Sequence, residues 1–409
     1  MSNYMELPLS GLEAPLDETE RAFQDACHKF AKEVMRPAGL RLDKLSAADM
    51  VAEGSELWDV IEKSKALGLN LTEMVDMEPA ERVKLLAIAS EELAWGDCGL
   101  ACQILTAAFP VLYSLMADRM DLAEYCEGKL GCWGITEPDH GTDMLDANGA
   151  LSHPNGSYGR PNCVARIEGD KVIINGQKSA WVSGGITAEV CALFCHVEVD
   201  GETRPGVALI VDLNSPGVTR GQPLEKMGVR TLNQGEIFFD NVEVPAGNIL
   251  AGPDSYQDFV YRVLAEANPL VAIAWLGNTR AAYELALEYA HERKAGGVAI
   301  IMHQSVRSRL FHMFRKLELS RALIRRVLEF NATAEVPALH GSAAAKVTTT
   351  QLGFEVCSDA LQIFGGNGMT KEYPMEKLLR DARAGLIADG CNEMLAIKGG
   401  GMLVNEELL

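Results

Sequence analysis

Residues 301–330 contain neither glycine nor proline, and this uninterrupted stretch is the strongest constraint on the fold. Its apolar residues, among them Val306, Leu310, Met313 and Leu317, recur at steps of three and four, which is the spacing of one helix face. A helix of this length is about 45 Å long, and it needs neighbours to cover its apolar face. Similar stretches at 270–293, 338–363 and 374–387 predict an antiparallel four-helix bundle.

The rest of the chain divides into two regions with different residue patterns. Residues before about 130 also have a helical pattern, as in "RVKLLAIASEELAW", whereas residues 131–250 are rich in β-branched runs. In the second region Asn175-Gly176 and Asp200-Gly201 are hairpin signals, and "GEIFFDNVEVP" is another strand candidate. We therefore predict an α+β chain with an N-terminal α domain (1–130), a middle antiparallel β domain (131–250) and a C-terminal four-helix-bundle domain (251–409).

Charge and cysteine usage limit the class of protein. There are 57 Asp and Glu against 37 Lys and Arg, a net charge of -20, which argues against a nucleic-acid or anionic-membrane binder. The ten cysteines include no CxxC pair, so we expect reduced thiols and no metal site. The N-terminus lacks a basic start and a signal-peptide apolar core, and no segment approaches 18 uninterrupted apolar residues. We expect a soluble, cytoplasmic protein.

Two stretches in the middle region are candidates for ligand binding. In "WGITEPDHGTDMLD" (133–146), Thr136, Gly141 and Thr142 can form a turn that binds a phosphate or a heterocycle edge, although an ordinary crossover explains them too. In "GQKSAWVSGG" (176–185), Trp181 in a strand with Ser183 two residues later on the same face can flank a flat cofactor. A core tryptophan is the alternative.

Two further stretches lie in the C-terminal region. In "ERKAGGVAIIMHQ" (292–304), Arg293 can pair with a phosphate or face solvent at a helix end. In "QIFGGNGMTKEYPMEKLLRD" (362–381), Gly365, Gly366 and Gly368 end a helix and allow a diphosphate to approach the backbone closely. Because a helix precedes these glycines, they do not form a Rossmann fingerprint.

Together, and in this order, the four stretches resemble the acyl-CoA dehydrogenase family of flavoproteins over nearly the whole chain. "GITEPDHGTD" is similar to the family's first signature, and "QIFGGNGMTKEYPMEKLLRD" to its second. "KMGVRTLNQGEIFFDNVEVPAGNIL" is similar to the run that leaves the β domain. The resemblance implies an α, β, α architecture and FAD as the cofactor.

The resemblance also implies roles for individual residues. Thr136 and Thr142 would contact FAD, Trp181 would flank the isoalloxazine, and Ser183 would meet the flavin N5 edge. Five residues would hold the pyrophosphate and adenine side across a subunit interface: Arg293, Gln304, Gln362, Gly365 and Gly366. Shared FAD sites of this kind imply a homotetramer.

The family's catalytic base is a glutamate in a short motif after the second signature, and here residues 388–391 read "ADGC". The resemblance therefore implies Asp389 as the base. Its side chain is one methylene shorter, about 1.5 Å, and a misplacement of about 1 Å can lower a rate roughly a hundredfold. The preceding apolar run "LIA" predicts a raised carboxyl pKa. Glu266, in "VLAEANPLV", is the alternative base, from a helix where some relatives carry theirs.

Other positions near the base depart from the family pattern. Ala388 replaces a larger side chain and favours a branched, cyclic or otherwise bulky acyl group, with Thr142 and Gly390 as further substrate contacts. Cys391 and Glu393 stand where hydroxyl and amide contacts to the cofactor are usual, and a thiol is the poorer donor. Asn268 stands where the family often has an arginine near the CoA nucleotide.

The implied activity is oxidation of an acyl-CoA thioester between its α- and β-carbons, with an electron-transferring flavoprotein as the acceptor. Nitroalkane oxidases share the fold and use an aspartate base, which makes them the main alternative. They usually carry an arginine seven residues after that base, where this chain has Ala396 and the nearest cation is Lys398. They also tend to have lost the Gly-Gly-x-Gly signature. A catalytically silent flavoprotein or scaffold is the third possibility.

Overall fold

The N-terminal part of the chain is helical in the structure, a computed structural model that describes residues 16–145, 161–199 and 201–404. Its helices are α1 (Glu18–Phe30), α2 (Arg36–Leu42), α3 (Ala47–Val51), α4 (Glu56–Ser64), α5 (Leu71–Met74), α6 (Pro79–Gly96), α7 (Cys98–Ala107), α8 (Phe109–Met116) and α9 (Met120–Cys126). Helix α1 begins at a capping box, because the Asp17 carboxylate accepts from the Glu20 N–H (2.8 Å) and the Glu20 carboxylate accepts from the Asp17 N–H (2.9 Å).

The middle part forms one eight-stranded sheet. Its strands are β1 (Gly131–Gly134), β2 (Cys163–Glu168), β3 (Lys171–Lys178), β4 (Val190–Val199), β5 (Glu202–Asp212), β6 (Val218–Arg220), β7 (Ile237–Pro245) and β8 (Ile249–Ala251). The order is β6-β7-β3-β2-β4-β5-β8, with β1 also pairing β4. Most pairings are antiparallel, as predicted, but β4 runs parallel to both β1 and β2, so the sheet is mixed.

One of the two hairpin predictions is wrong. Strand β3 continues through Asn175-Gly176 and bulges there instead of turning. Gly176 has φ 117°, and a Cβ at this position would lie 1.9 Å from the carbonyl oxygen of Asn162, so the glycine serves a close backbone approach. The second hairpin joins β4 to β5 with Gly201 at φ 81°, as predicted, and Asp200 lies outside the described residues.

The C-terminal helices confirm the predicted bundle. They are α10 (Tyr256–Glu292), α11 (Gln304–Thr333), α12 (Leu339–Phe364), α13 (Met375–Gly385) and α14 (Asn392–Val404). A two-stranded hairpin, β9 (Lys294–Ala295) with β10 (Val298–Ala299), connects α10 to α11. Buried residues of the four bundle helices, such as Ile273, Met313, Val356 and Leu378, share one apolar core.

Helix α10 starts well before the predicted residue 270 because it continues through Pro269. A proline inside a helix removes one backbone donor, here the donor for the Ala265 carbonyl four residues earlier. Two side chains replace it: Asn331 Nδ2 donates to the Ala265 oxygen at 2.9 Å and Ser342 Oγ at 2.7 Å. The proline is therefore tolerated because α11 and α12 satisfy the carbonyl that it exposes.

A buried group of opposite charges joins α6 to the bundle. Arg280 Nη1 lies 3.0 Å and Arg321 Nη2 lies 2.7 Å from Glu91 Oε1, and Arg280 also pairs with Glu92. Burial alone would raise the pKa of Glu91, but the two guanidinium groups outweigh it and hold that pKa well below its usual range.

All ten cysteines are free and nine are buried, the exception being the half-buried Cys391, which agrees with the prediction of reduced thiols. Within the described ranges no group of His, Cys, Asp and Glu is arranged to hold a metal ion. Helix α10 has the length and apolar composition of a membrane span, but 78% of its most apolar window is buried inside the protein.

Candidate active site

The loop between α13 and α14 holds Asp389 in a left-handed backbone conformation, with φ 52°. Gly390, which follows, has φ 95°. Aspartate adopts positive φ several times more readily than most residues because its short polar side chain tolerates this conformation. The turn thus gives a physical reason for an aspartate at this position.

The surroundings of the Asp389 carboxyl group raise its pKa. The residue as a whole is half-buried, but its Oδ2 atom is buried and has no hydrogen-bond partner among the residues that the structure describes. Burial raises the pKa of Asp389 to about 6, against the opposing attraction of Lys346. The raised pKa predicted from the apolar run is confirmed.

Lys346 of α12 holds this loop through two hydrogen bonds. The sequence alone did not predict a role for this residue. Its buried ammonium donates to the Gly390 carbonyl at 2.7 Å and to Asn392 Oδ1 at 2.8 Å. Burial lowers the pKa of Lys346 to about 8, against the attraction of Asp389. Ser342, Lys346 and Thr350 are polar residues spaced four apart on one face of α12, and all three are buried. This spacing is the sequence pattern that could have indicated a buried polar site.

Helix α10 approaches the same loop through Asn268, whose Nδ2 donates to the Asp389 carbonyl at 3.1 Å. Asn268 is fully buried there, and this hydrogen bond holds the Asp389 loop against α10. Glu266, two residues earlier, is half-buried, and burial raises its pKa against the attraction of Arg82.

Tyr113 is a second residue that the sequence reasoning missed. Its side chain is fully buried, and its hydroxyl has no hydrogen-bond partner in the described part of the chain. Burial, and then the charges of Asp389 and Glu266, raise the pKa of Tyr113 well above its ordinary value. Both candidate bases therefore lie close enough to one buried hydroxyl to influence it.

An apolar pocket lies between helices α5 to α8 and helix α10. It is lined by Leu71 of α5, Leu86 and Ser90 of α6, Cys102, Leu105 and Thr106 of α7, Ala108, Phe109 and Leu112 of α8, and Leu270, Val271 and Ala274 of α10. Its two hydroxyls are occupied: Ser90 donates to the Leu86 carbonyl (2.7 Å) and Thr106 to the Cys102 carbonyl (2.8 Å). Two of its lining residues, Cys102 and Ala274, belong to the apolar cluster against which Ala388 packs, so the pocket adjoins the residue before Asp389.

Trp181 and Ser183 lie on the β-domain side of the site, and the structure corrects one expectation about them. Trp181 is in a turn after β3, not in a strand, and its side chain is 60% exposed. Gln234 Nε2 donates to the Trp181 carbonyl and to Ser183 Oγ, each at 3.1 Å. The Ser179 N–H donates to the Thr136 carbonyl at 2.9 Å, which places Thr136 beside the same turn.

The first signature also contacts the loop that carries Asp389. Thr142 Oγ1 accepts from the Cys391 N–H at 3.3 Å. The Gly141 N–H donates to Asp143 Oδ1 at 2.6 Å, so a carboxylate occupies the donor that a phosphate would need, which disfavours the phosphate-binding interpretation of this turn. Glu393 is exposed in the first turn of α14.

The remaining predicted residues lie at the opposite end of the bundle. Arg293, Gln304, Gln362, Gly365 and Gly366 are all exposed in the single chain. Tyr289 of α10 holds this end together, because its ring stacks on Phe364 at 4.1 Å and its hydroxyl accepts from Asn367 at 2.8 Å. Asn268 and Tyr289 are 21 residues apart in α10, about 30 Å along the helix axis.

Comparison with known proteins identifies the family. The model of the acyl-CoA dehydrogenase C-terminal domain matches residues 258–398, and that of the middle domain matches residues 132–242. A probable acyl-CoA dehydrogenase of Bacillus subtilis is 31% identical over 320 residues, which cover 75% of this chain and 79% of that protein. The chain belongs to the acyl-CoA dehydrogenase family.

Solved structures agree with this assignment. Butyryl-CoA dehydrogenase from Megasphaera elsdenii superimposes with a TM-score of 0.82 at 25% identity, over 96% of this chain and 100% of that one. An active-site aspartate-to-asparagine mutant of nitroalkane oxidase, crystallized with 1-nitrooctane, has a TM-score of 0.84 at 21% identity, over 97% of this chain and 98% of that one. At that identity the second likeness concerns the fold alone.

As a member of the acyl-CoA dehydrogenase family, the protein is an FAD-dependent oxidoreductase. The structure fits this cofactor on the β-domain side, because a 60% exposed indole next to a partly exposed hydroxyl is suited to a flat heterocycle with a polar edge. The roles of individual residues toward FAD stay predictions.

Proposed function

We propose that this acyl-CoA dehydrogenase family member oxidises an acyl-CoA thioester at its α,β carbon-carbon bond, with Asp389 as the base. The observation that carries the proposal is the buried, unpartnered Oδ2 of Asp389, with a pKa of about 6, beside an apolar pocket. A carboxyl group in that state is mostly deprotonated at neutral pH and is a stronger base than an exposed aspartate.

The chain supplies three groups for the chemistry. Asp389 accepts the α-proton, and Lys346 keeps part of the carboxylate population ionised. FAD, when bound beside Trp181 and Ser183, supplies the acceptor for the hydride that leaves the β-carbon. The N–H groups of Asp389 and Gly390 have no acceptor among the described residues, so both are available to the thioester oxygen as it gains negative charge.

The acyl group in this proposal is apolar and branched, cyclic or otherwise bulky. None of the side chains that line the pocket is charged, and its two hydroxyls already donate to helix carbonyls. A carboxylate at the far end of a substrate would therefore lose its solvation without gaining a partner. Ala388 is half-buried against the apolar cluster that contains Cys102 and Trp275, and its small side chain leaves room beside the base.

Nitroalkane oxidation is the second candidate, and Lys346 makes it more competitive than the sequence suggested. The argument against it was the missing arginine near the base, but Lys346 provides a buried cation from another helix. Two observations still favour the dehydrogenase: the retained Gly365-Gly366-x-Gly368 segment, and a probable acyl-CoA dehydrogenase of Bacillus subtilis that is 31% identical.

The proposal includes a homotetramer that shares FAD between subunits. Asn268, which contacts the Asp389 loop, and Tyr289, which contacts Asn367 beside the second group of predicted cofactor-binding residues, are about 30 Å apart along α10. The second group is exposed, so the partner chain is the natural source of that group at each site. An electron-transferring flavoprotein as the electron acceptor and a cytoplasmic location complete the proposal.

Anaerobic titration of the purified yellow protein tests the reaction. We expect straight-chain, branched and cyclic acyl-CoA thioesters to bleach the flavin band, with the bulky ones most effective and glutaryl-CoA, as the dicarboxylate control, weak. Bleaching by nitroalkanes alone, with peroxide formed in air, would assign the protein to the second candidate. A protein purified without a flavin band would support the third possibility, a silent scaffold.

A further inference from the structure

Lys226 is a partly buried lysine that the proposed reaction does not use. It lies in the segment between β6 and β7, and its Nζ donates to the Leu232 carbonyl at 2.5 Å and to Gln234 Oε1 at 2.9 Å. Burial lowers the pKa of Lys226 to about 7, opposed by the attraction of Asp381 and Cys102. At pH 6 the group is therefore mostly a protonated ammonium, which has hydrogen-bond donors only.

The side-chain amide of Gln234 is fixed at both ends by these partners. The ammonium of Lys226 can only donate, so it requires the amide oxygen on its side. The Trp181 carbonyl can only accept, so it requires the amide nitrogen on the other side, at the observed 3.1 Å. The orientation of this amide follows from its neighbours.

This orientation determines the role of the Ser183 hydroxyl. Gln234 Nε2 donates to Ser183 Oγ at 3.1 Å, so that oxygen already accepts one hydrogen bond. In the described part of the chain the hydrogen bond from Gln234 is the one found at Ser183 Oγ, and the hydroxyl donates none. Its proton is thus left to point away from Gln234, toward the partly exposed face beside Trp181.

We propose that Lys226 is a positioning residue that acts through Gln234 to hold the Ser183 hydroxyl as a hydrogen-bond donor toward the flavin ring edge. The inference rests on the proposed function, which places FAD at the Trp181 and Ser183 face. A donor aimed at a ring nitrogen draws electron density from the ring and favours its reduction. Without Lys226 only the Trp181 carbonyl holds the amide, so turning its oxygen toward Ser183 costs one hydrogen bond instead of two, and in that orientation Ser183 donates to Gln234 instead.

The test is the midpoint potential of the bound flavin at pH 6, measured by dithionite titration against a reference dye, so that no substrate is needed. Lys226→Met should make the potential more negative and slow flavin reduction about 3- to 10-fold, the effect of one lost hydrogen bond. Gln234→Leu, which keeps the lysine, should shift the potential in the same direction. Lys171→Met removes an exposed lysine from β3 and is the matched control, with an unchanged potential.

A double-mutant cycle separates the relay from the mere loss of a positive charge. Ser183→Ala should shift the potential by itself, and Lys226→Met should add almost nothing in that background. A full Lys226→Met shift in the Ser183→Ala background, or no shift in the wild-type background, would overturn the relay. If wild-type flavin has a measurable potential but no thioester reduces it, the proposed function fails while the relay is still tested.

Discussion

Glu91 and Asp389 carry two buried carboxylates that differ in how far positive charges pair with them. Glu91 is paired with Arg280 and Arg321, which hold its pKa far below the usual range. Among the described residues, Asp389 Oδ2 has no hydrogen-bond partner and Lys346 is the opposing charge that acts on it, so burial raises its pKa to about 6. The contrast separates a carboxylate that joins two parts of the fold from one that is left reactive.

Asp389→Asn should have the largest effect because it removes the proposed proton acceptor. We expect flavin reduction by the best acyl-CoA to fall by about 10²- to 10⁴-fold, the usual contribution of a general base, with FAD content unchanged. Anaerobic stopped-flow absorbance measures the rate. Glu266→Gln is the matched control and should stay within a few-fold of wild type; the opposite ranking would transfer the role of base to Glu266.

Glu91→Ala should have the next largest effect, and on stability rather than chemistry. It leaves Arg280 and Arg321 buried with fewer partners, which we expect to lower the free energy of unfolding by about 3–5 kcal/mol. Urea denaturation followed by circular dichroism measures this loss. Flavin reduction per bound FAD should be unchanged, and a loss of reduction as large as that of Asp389→Asn would remove the distinction between the two carboxylates.

Lys346→Met should move the pH dependence of flavin reduction. In the wild type the rate should rise with pH through an inflection near 6, the pKa of Asp389, because only the ionised carboxylate accepts a proton. Lys346 lowers that pKa, so its loss should shift the inflection upward by about half a unit to one unit. Thr350→Val loosens Asn392 (3.1 Å) but keeps the charge, and its inflection should remain near 6.

The smallest expected effect is a gain of stability in Asp389→Asn. The folded-state pKa of Asp389, about 6, lies above its ordinary 3.8, so ionisation destabilises the fold at neutral and alkaline pH. Replacing the carboxylate should raise the free energy of unfolding by about 1–3 kcal/mol at pH 8, with the gain fading as pH falls through 6 and vanishing below about 4. Unfolding midpoints at the two extremes of pH provide the measurement.

The helices and the candidate base were accessible to sequence reasoning because both depend on local patterns. The stretch 301–330 became α11, Gln304–Thr333, since apolar periodicity without glycine or proline is decisive over that length. Asn175-Gly176 was wrongly predicted to be a hairpin turn because the same dipeptide occurs in turns and in bulges. The close approach of the Asn162 carbonyl to Gly176 favours the bulge.

The supporting residues were not accessible because their partners are distant in the chain. Lys346 lies 44 residues before Gly390, and Gln234 lies 51 residues after Ser183. Only the fold brings them together. The prediction for Trp181 failed for another reason. The sequence pattern around it indicates a strand, but the residue lies in a turn after β3 with an exposed indole.

The separation of the two predicted cofactor groups along α10 has a genetic consequence. If each site takes Asp389 from one chain and Arg293 from its partner, two different inactive proteins contain the parts of one working site. Mixed assemblies of Asp389→Asn and Arg293→Ala chains should then regain activity that neither homomer has, because each supplies what the other lacks. Co-expression of the two alleles would thus reveal the shared site as complementation.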